Sequence, residues 1–274
     1  MTVWMNGMLL ADSDARVSVF DHGLTVGDGV FETVKVAAGV PFALTRHLAR
    51  LRRSAAGLGL PEPDLGALQA GVRDLLAAAG PPDRARLRIT LTGGSSPLGS
   101  ERGDTGLTAV VALGEWPARG TSCDVVTVPW PRNDRGALAG LKTTSYAENV
   151  LALGYARQRG GSEAIFANTA GNLCEGTGTN VFLVSGGRLL TPPLSSGCLA
   201  GVTRGLVIEW AGAEEEDLAL GALGAAGEAF LTGTTRDVQP IRAVNGVPLP
   251  AAPGPVTRRA AEIFAARSAA EPDP

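Results

Sequence analysis

Glycine and proline cut this chain into short β-type runs that never settle into the strand–helix alternation of a doubly wound sheet, and no other feature constrains its fold as strongly. TVWMNG, RVSVFDHG and GVFETVKV, all within residues 2–36, alternate and carry β-branched side chains, which predicts three strands. From Thr45, apolar residues recur at helical spacing (Leu48, Leu51, Ala55, Leu58), and Gly57, Gly59 and Pro61 close the helix. Residues 65–79 predict a second helix, and RLRITLTG and TAVVAL predict paired strands that complete a first lobe over residues 1–115. Residues 116–120 read as a linker. In the second lobe, 121–274, CDVVTVPW, EAIFAN, NVFLV, RLLTP and EAFLTG predict strands, with helices over 146–158, 204–212 and 255–267. The expected architecture is α+β, in two lobes with a cleft between them. The tail SAAEPDP, 268–274, is the segment expected to be loosest.

Composition then narrows the function classes. A net charge of −3 without a Lys/Arg-dense run argues against nucleic acid and anionic membranes as partners and favours a small molecule. No apolar run reaches the roughly 18 to 20 residues of a membrane span, and MTVWMNGMLL lacks the pattern of a signal peptide, so the expected location is cytoplasmic. Cys123, Cys174 and Cys198 are odd in number and lack CxxC spacing, which points away from a disulfide framework or a zinc site. With only His22 and His47, no histidine-rich metal cluster is available, and no metal is expected. A Ser-His-Asp hydrolase would lack its G-x-S-x-G elbow.

Of 24 lysines and arginines only Lys35 and Lys142 are lysines, so these two positions are where a primary amine is retained. Lys142 follows the glycine-rich stretch GALAGL and precedes an amphipathic helix. An amine at such a position can form a Schiff base with an aldehyde cofactor when an apolar pocket favours its neutral form. Glu175 stands at a strand end before Gly176, Thr177, Gly178 and Thr179, where a carboxylate could keep a pyridine nitrogen protonated. This stretch is no dinucleotide fingerprint, because Val181 replaces the third glycine and a strand follows. Gly201-Val202-Thr203 opens a helix and Thr232 to Thr235 end a strand, two places with donors for a phosphate. Gly140-Leu141-Lys142 breaks the Gly-Lys pair of a Walker loop.

Six segments in order, VSVFDHGLTVGDGVFETVKV, LTRHLARLRRSA, LKTTSYAENVLA, CEGTGTNVFLV, LLTPPLSSGCLAGVTR and FLTGTTRDVQPI, resemble the class IV (fold-type IV) family of pyridoxal 5'-phosphate (PLP) enzymes. The resemblance spans nearly the whole chain. It implies a two-lobed fold similar to D-amino-acid aminotransferase, with PLP in the cleft and a homodimer as the assembly. By the same resemblance Lys142 is the Schiff-base lysine and general base, and Glu175 meets the pyridine nitrogen. Arg46, Val202, Thr203 and Thr234 hold the phosphate, and Thr179 and Asn180 lie on the cofactor-facing turn. Lys35 falls on a strand at the cleft wall or surface.

FDHGLTVGDGVFET and TTRDVQPI look most like aminodeoxychorismate lyases, which form p-aminobenzoate and pyruvate for folate synthesis. An aminotransferase acting on branched-chain or other amino acids is the alternative, since TPPLSSGCLAGVTR also suits that subgroup. Gly94 and Leu98 stand where D-amino-acid aminotransferases place a basic carboxylate trap. Arg102, Arg132 and Arg135 are the arginines that could meet a substrate carboxylate. A non-catalytic PLP-binding homologue is the remote alternative, disfavoured by the presence of both Lys142 and Glu175.

Overall fold

The computed structural model of the chain describes residues 2–80 and 82–274. It consists of two compact units, Met1–Pro117 with Leu141–Tyr146 and Pro272–Pro274, and Ala118–Gly140 with Ala147–Glu271. The second lobe expected over 121–274 therefore cedes two pieces, and the segment of Lys142 belongs to the first unit. The reason is backbone pairing: Phe31 N donates to Lys142 O at 3.0 Å and Thr144 N to Gly29 O at 2.7 Å. Residues 142–144 thus complete hydrogen bonds that an open strand edge leaves unmet.

The first unit contains β1 (Thr2–Met5), β2 (Met8–Ala11), α1 (His22–Thr25), β3 (Gly29–Ala37), β4 (Val40–Pro41), α2 (Leu44–Leu58), α3 (Leu65–Ala79), β5 (Arg84–Thr92) and β6 (Thr108–Glu115). Its six strands form an antiparallel sheet in the order β2-β1-β6-β5-β3-β4. Period-2 alternation sends Val30, Val34, Val36, Leu87, Ile89 and Leu91 into a core with Leu48, Leu51, Val72 and Leu75 of α2 and α3. Truncating one of these fully buried leucines to alanine costs about 2–5 kcal/mol. Phe31, Thr33, Arg88 and Thr90, one residue out of phase and paired across β3 and β5, line the other face.

Two expectations fail in this unit. RVSVFDHG is not a strand; α1 begins at His22, with Asp21 accepting from Gly23 N at 2.8 Å and from the hydroxyls of Thr92 and Thr108 at 2.9 and 2.8 Å. These bonds hold the backbone in a turn and leave Val17, Val19 and Phe20 exposed. Nor is the tail loose. Residues 268–270 finish the last helix, and 272–274 dock on α2. The N-cap of α2 is Ala43, which has no side chain to cap with, and Asp273 does so instead, accepting from Thr45 N at 2.9 Å and Thr45 Oγ1 at 2.6 Å.

The second unit contains β7 (Cys123–Thr127), α4 (Ala147–Arg157), β8 (Glu163–Ala167), β9 (Leu173–Gly176), β10 (Asn180–Ser185), β11 (Arg188–Thr191), α5 (Val202–Ala211), β12 (Glu214–Glu215), β13 (Glu228–Gly233), β14 (Asp237–Val244), β15 (Val247–Pro248) and α6 (Pro255–Ala270). Its sheet runs β12-β11-β10-β13-β14-β7-β8-β9, with β15 on β14. Val181, Leu183 and Leu231 join one core cluster, while Phe182 and Phe230, out of phase with them, stack with centroids 4.9 Å apart. α5 and α6 pack on β13 and β14, and α4 packs on β7 and β8. No helix among the described residues is long and apolar enough to cross a membrane.

Candidate active site

In the first unit, Lys142 is buried and its Nζ lies 4.4 Å from the centre of the Phe31 ring and 3.5 Å from Tyr146 Oη. Its backbone N donates to Ser54 Oγ at 3.1 Å. The Arg88 guanidinium stacks on the same Phe31 ring at 3.3 Å. Among the described residues Arg88 pairs with no carboxylate, and its Nε donates to Thr90 Oγ1 at 3.2 Å. Burial pulls its pKa down to about 10, which leaves it charged at neutral pH. One aromatic ring therefore carries a lysine amine and an arginine cation, a pairing suited to an amino acid with its amine and carboxylate.

Beneath β3, on the core side, Glu32 is fully buried and takes a two-pronged bond from Arg50, Nε to Oε1 at 2.7 Å and Nη2 to Oε2 at 2.6 Å. His47 Nδ1 lies 2.7 Å from Glu32 Oε2. Burial alone would raise the Glu32 pKa, but the charge and hydrogen bonds of Arg50, with His47, override it and bring it to about 2. Burial lowers the pKa of His47, opposed by Glu32 and reinforced by the charges of Arg50 and Lys142. No local pattern marks this triad, since Glu32 on β3 is 15 residues from His47 and 18 from Arg50 in sequence. Arg46 is half-buried and donates through Nε to Pro274 O at 2.8 Å, whereas Arg50 is the buried one, in the cluster beside Lys142.

In the second unit the other expected residues gather at one end of the sheet. Glu175 Oε2 accepts from Leu199 N at 2.9 Å, and its Oε1 lies 3.3 Å from Arg132 Nε. Asn180 donates to Leu199 O at 2.8 Å, and a Cβ on Gly201 would collide with Asn180 Oδ1. That glycine is the N-cap of α5, so no side chain closes the helix start formed by Val202 and Thr203, both buried. Thr179, also buried, directs Oγ1 to Glu163 at 3.4 Å, and Thr234 follows the end of β13. Across the β10–β13 ladder Thr232 faces Asn180, and its buried hydroxyl has no partner among the described residues.

The substrate arginines resolve differently. Arg102 grips Asp28 at 2.7 and 2.6 Å and caps the carbonyls of Leu58 and Gly59. Arg132 is taken up by Glu148 and Glu175, and Arg135 is exposed. Lys35 is buried, with Nζ 4.8 Å from the Phe42 ring. Leu98 is 74% exposed and brings no charge to its loop.

Each unit by itself offers groups suited to PLP: the first the Lys142 amine, the second the Glu175 carboxylate and, for a phosphate, the open start of α5 with the orphaned Thr232 hydroxyl. The family profile of amino-transferase class IV matches residues 29–244. A putative branched-chain-amino-acid aminotransferase of Methanocaldococcus jannaschii is 34% identical over 90% of this chain and 88% of its own length. The crystal structure of a branched-chain aminotransferase from Thermoproteus uzoniensis superposes with a TM-score of 0.91 at 31% identity, covering 97% of this chain and 93% of that one. The PLP-bound form of a hypothetical aminotransferase from Mycobacterium tuberculosis gives 0.88 at 27% identity, covering 97% and 98%. All three are named as aminotransferases, which favours the transaminase expectation over the lyase.

Proposed function

The chain belongs to the class IV aminotransferase family and is a PLP-dependent enzyme, and from that premise we propose that it is an aminotransferase of amino acids with apolar side chains, the branched-chain amino acids foremost. The observation that carries this is the Phe31 ring, shared by the Lys142 amine and the Arg88 guanidinium.

When bound, PLP supplies an aldehyde that a lysine amine can capture and a protonated pyridine ring that takes up an electron pair. Lys142 Nζ would hold the cofactor and would take and return the proton of the substrate's amine-bearing carbon. Phe31 and Tyr146 keep water from Nζ and offer aromatic surface to an apolar side chain. Arg88 receives the substrate carboxylate, a role that its lack of a carboxylate partner supports. Glu175 meets the ring nitrogen, with Arg132 and Leu199 N fixing its two oxygens. Val202, Thr203 and Thr234 bind phosphate, and Thr179 and Asn180 shape the turn beside them. Of the two α2 arginines, burial favours Arg50 over Arg46 as the phosphate contact.

The assembly is a homodimer. Val17, Val19, Phe20, Leu24 and Leu98 form an exposed apolar surface on the first unit, joined by the bonds of Ser96 N to Phe20 O and His22 to Pro97 O. Sedimentation of wild type against Phe20→Asp tests this, and a wild-type monomer would overturn it.

Purified, PLP-loaded protein should transfer the amine of leucine, isoleucine or valine to 2-oxoglutarate, and Lys142→Ala should not. Arg88→Gln should raise KM for the amino acid more than it lowers kcat. Pyruvate released from aminodeoxychorismate without any amine transfer would return the assignment to the lyase, which FDHGLTVGDGVFET and TTRDVQPI favour.

A further inference from the structure

Below the end of the second sheet lies a polar cluster that the proposed chemistry does not use. Glu163, the first residue of β8, has a side chain only 3% exposed. Its Oε1 accepts from Ala164 N at 3.1 Å, from Thr177 N at 3.2 Å and from the Thr177 hydroxyl; its Oε2 accepts from Thr179 Oγ1 at 3.4 Å and from Arg236 Nη2 at 3.1 Å. The Arg236 side chain is 5% exposed and also donates to Gln239 Oε1 and Ser162 O. Gln239 in turn donates to Gly120 O at 2.8 Å.

One carboxylate thus touches two turns far apart in sequence, 176–179 between β9 and β10 and 233–236 between β13 and β14. The register places these turns side by side, since Asn180 pairs with Thr232 and a Cβ on Gly233 would rest 3.3 Å from Gly178 O. The attraction of two charges buried in this way repays their lost hydration only where the geometry is good and further hydrogen bonds satisfy both groups, as the bonds of Glu163 and Arg236 do here. We propose that Glu163 and Arg236 form an ionic clasp that fixes the spacing of these two turns and so holds the hydroxyl and amide donors of Thr234 where the cofactor phosphate binds. Both are positioning residues, acting through the turns. This rests on the phosphate assignment made above for Thr234.

The test compares Glu163→Gln, Arg236→Gln and the double variant with wild type, with Arg242→Gln as a control. Arg242 pairs with Asp124 in the same sheet but is 65% exposed. Dissociation constants are measured for PLP and for pyridoxal, which lacks the phosphate, alongside the melting temperature of each cofactor-free protein. Each single variant should weaken PLP by about 10- to 100-fold, the range for residues that orient the ligands of a bound group. Pyridoxal affinity should change less than twofold. The double variant should lose no more than the worse single one, because the pair acts as a unit, and Arg236→Lys should recover part of the loss by restoring the charge. PLP affinity unchanged in folded variants, or PLP and pyridoxal weakened alike, would overturn the clasp. A wild-type protein that binds no PLP would instead overturn the phosphate assignment beneath it.

Discussion

Glu32→Gln is the substitution whose consequence the structure fixes most closely. It keeps the shape of the side chain and removes its charge, leaving Arg50 buried without the carboxylate that holds it at 2.7 and 2.6 Å. Lowering a carboxyl from 4.5 to about 2 corresponds to about 3 kcal/mol of stabilisation, and breaking a buried pair from one side costs about 3–5 kcal/mol. The protein should therefore melt roughly 6–20 °C lower at neutral pH, taking about 3–5 kcal/mol at about 2–4 °C per kcal/mol. Because the folded pKa lies below the ordinary one, the stabilisation is complete above about pH 4.5 and is lost as pH falls towards 2. Denaturant unfolding of wild type and variant from about pH 7 down to 3, with hydrogen exchange of the α2 and β3 peptides reporting on the first unit, should show the gap closing below about pH 4.5. A gap constant with pH would mean that Glu32 is not the ionised partner of Arg50. His47 adds a separate slope: burial keeps it neutral, so stability should also decline as pH drops below its ordinary value of 6.5, and the variant, deprived of the Glu32 acceptor, should hold a lower His47 pKa by NMR titration.

Asp273→Ala should cost about 1 kcal/mol by removing the cap of α2, read as faster amide exchange in its first turn, and wild-type exchange there would refute the cap. Burial pushes the Cys123 thiol up to about 12 and raises Cys174 and Cys198 as well, so native protein at neutral pH should resist iodoacetamide at all three and react at all three once unfolded, as mass spectrometry would show. Arg132→Gln removes the ion pair at Glu175 Oε1 and should lower kcat of the loaded enzyme while leaving the melting temperature within a few degrees; an unchanged kcat would separate Arg132 from the positioning of Glu175.

Local pattern was enough for much of this molecule. The helical spacing of Leu48, Leu51 and Ala55 and the alternation of Val30, Val34 and Val36 each placed an element and its buried face, because period and burial are properties of a single segment. The order of six motif segments carried the family, and with it the cofactor. Tertiary structure decided what depends on partners distant in sequence. RVSVFDHG alternates like a strand, yet Asp21 has its hydroxyl donors 71 and 87 residues away, and those bonds turn the chain. SAAEPDP has a loop's composition, but a helix start without a cap lies 228 residues upstream and receives it. Lys142 joined the first unit because the edge of β3 offered hydrogen bonds to its backbone. The Glu32–Arg50 and Glu163–Arg236 pairs leave no local mark, since a carboxylate and a guanidinium read as surface residues until folding removes the water around both.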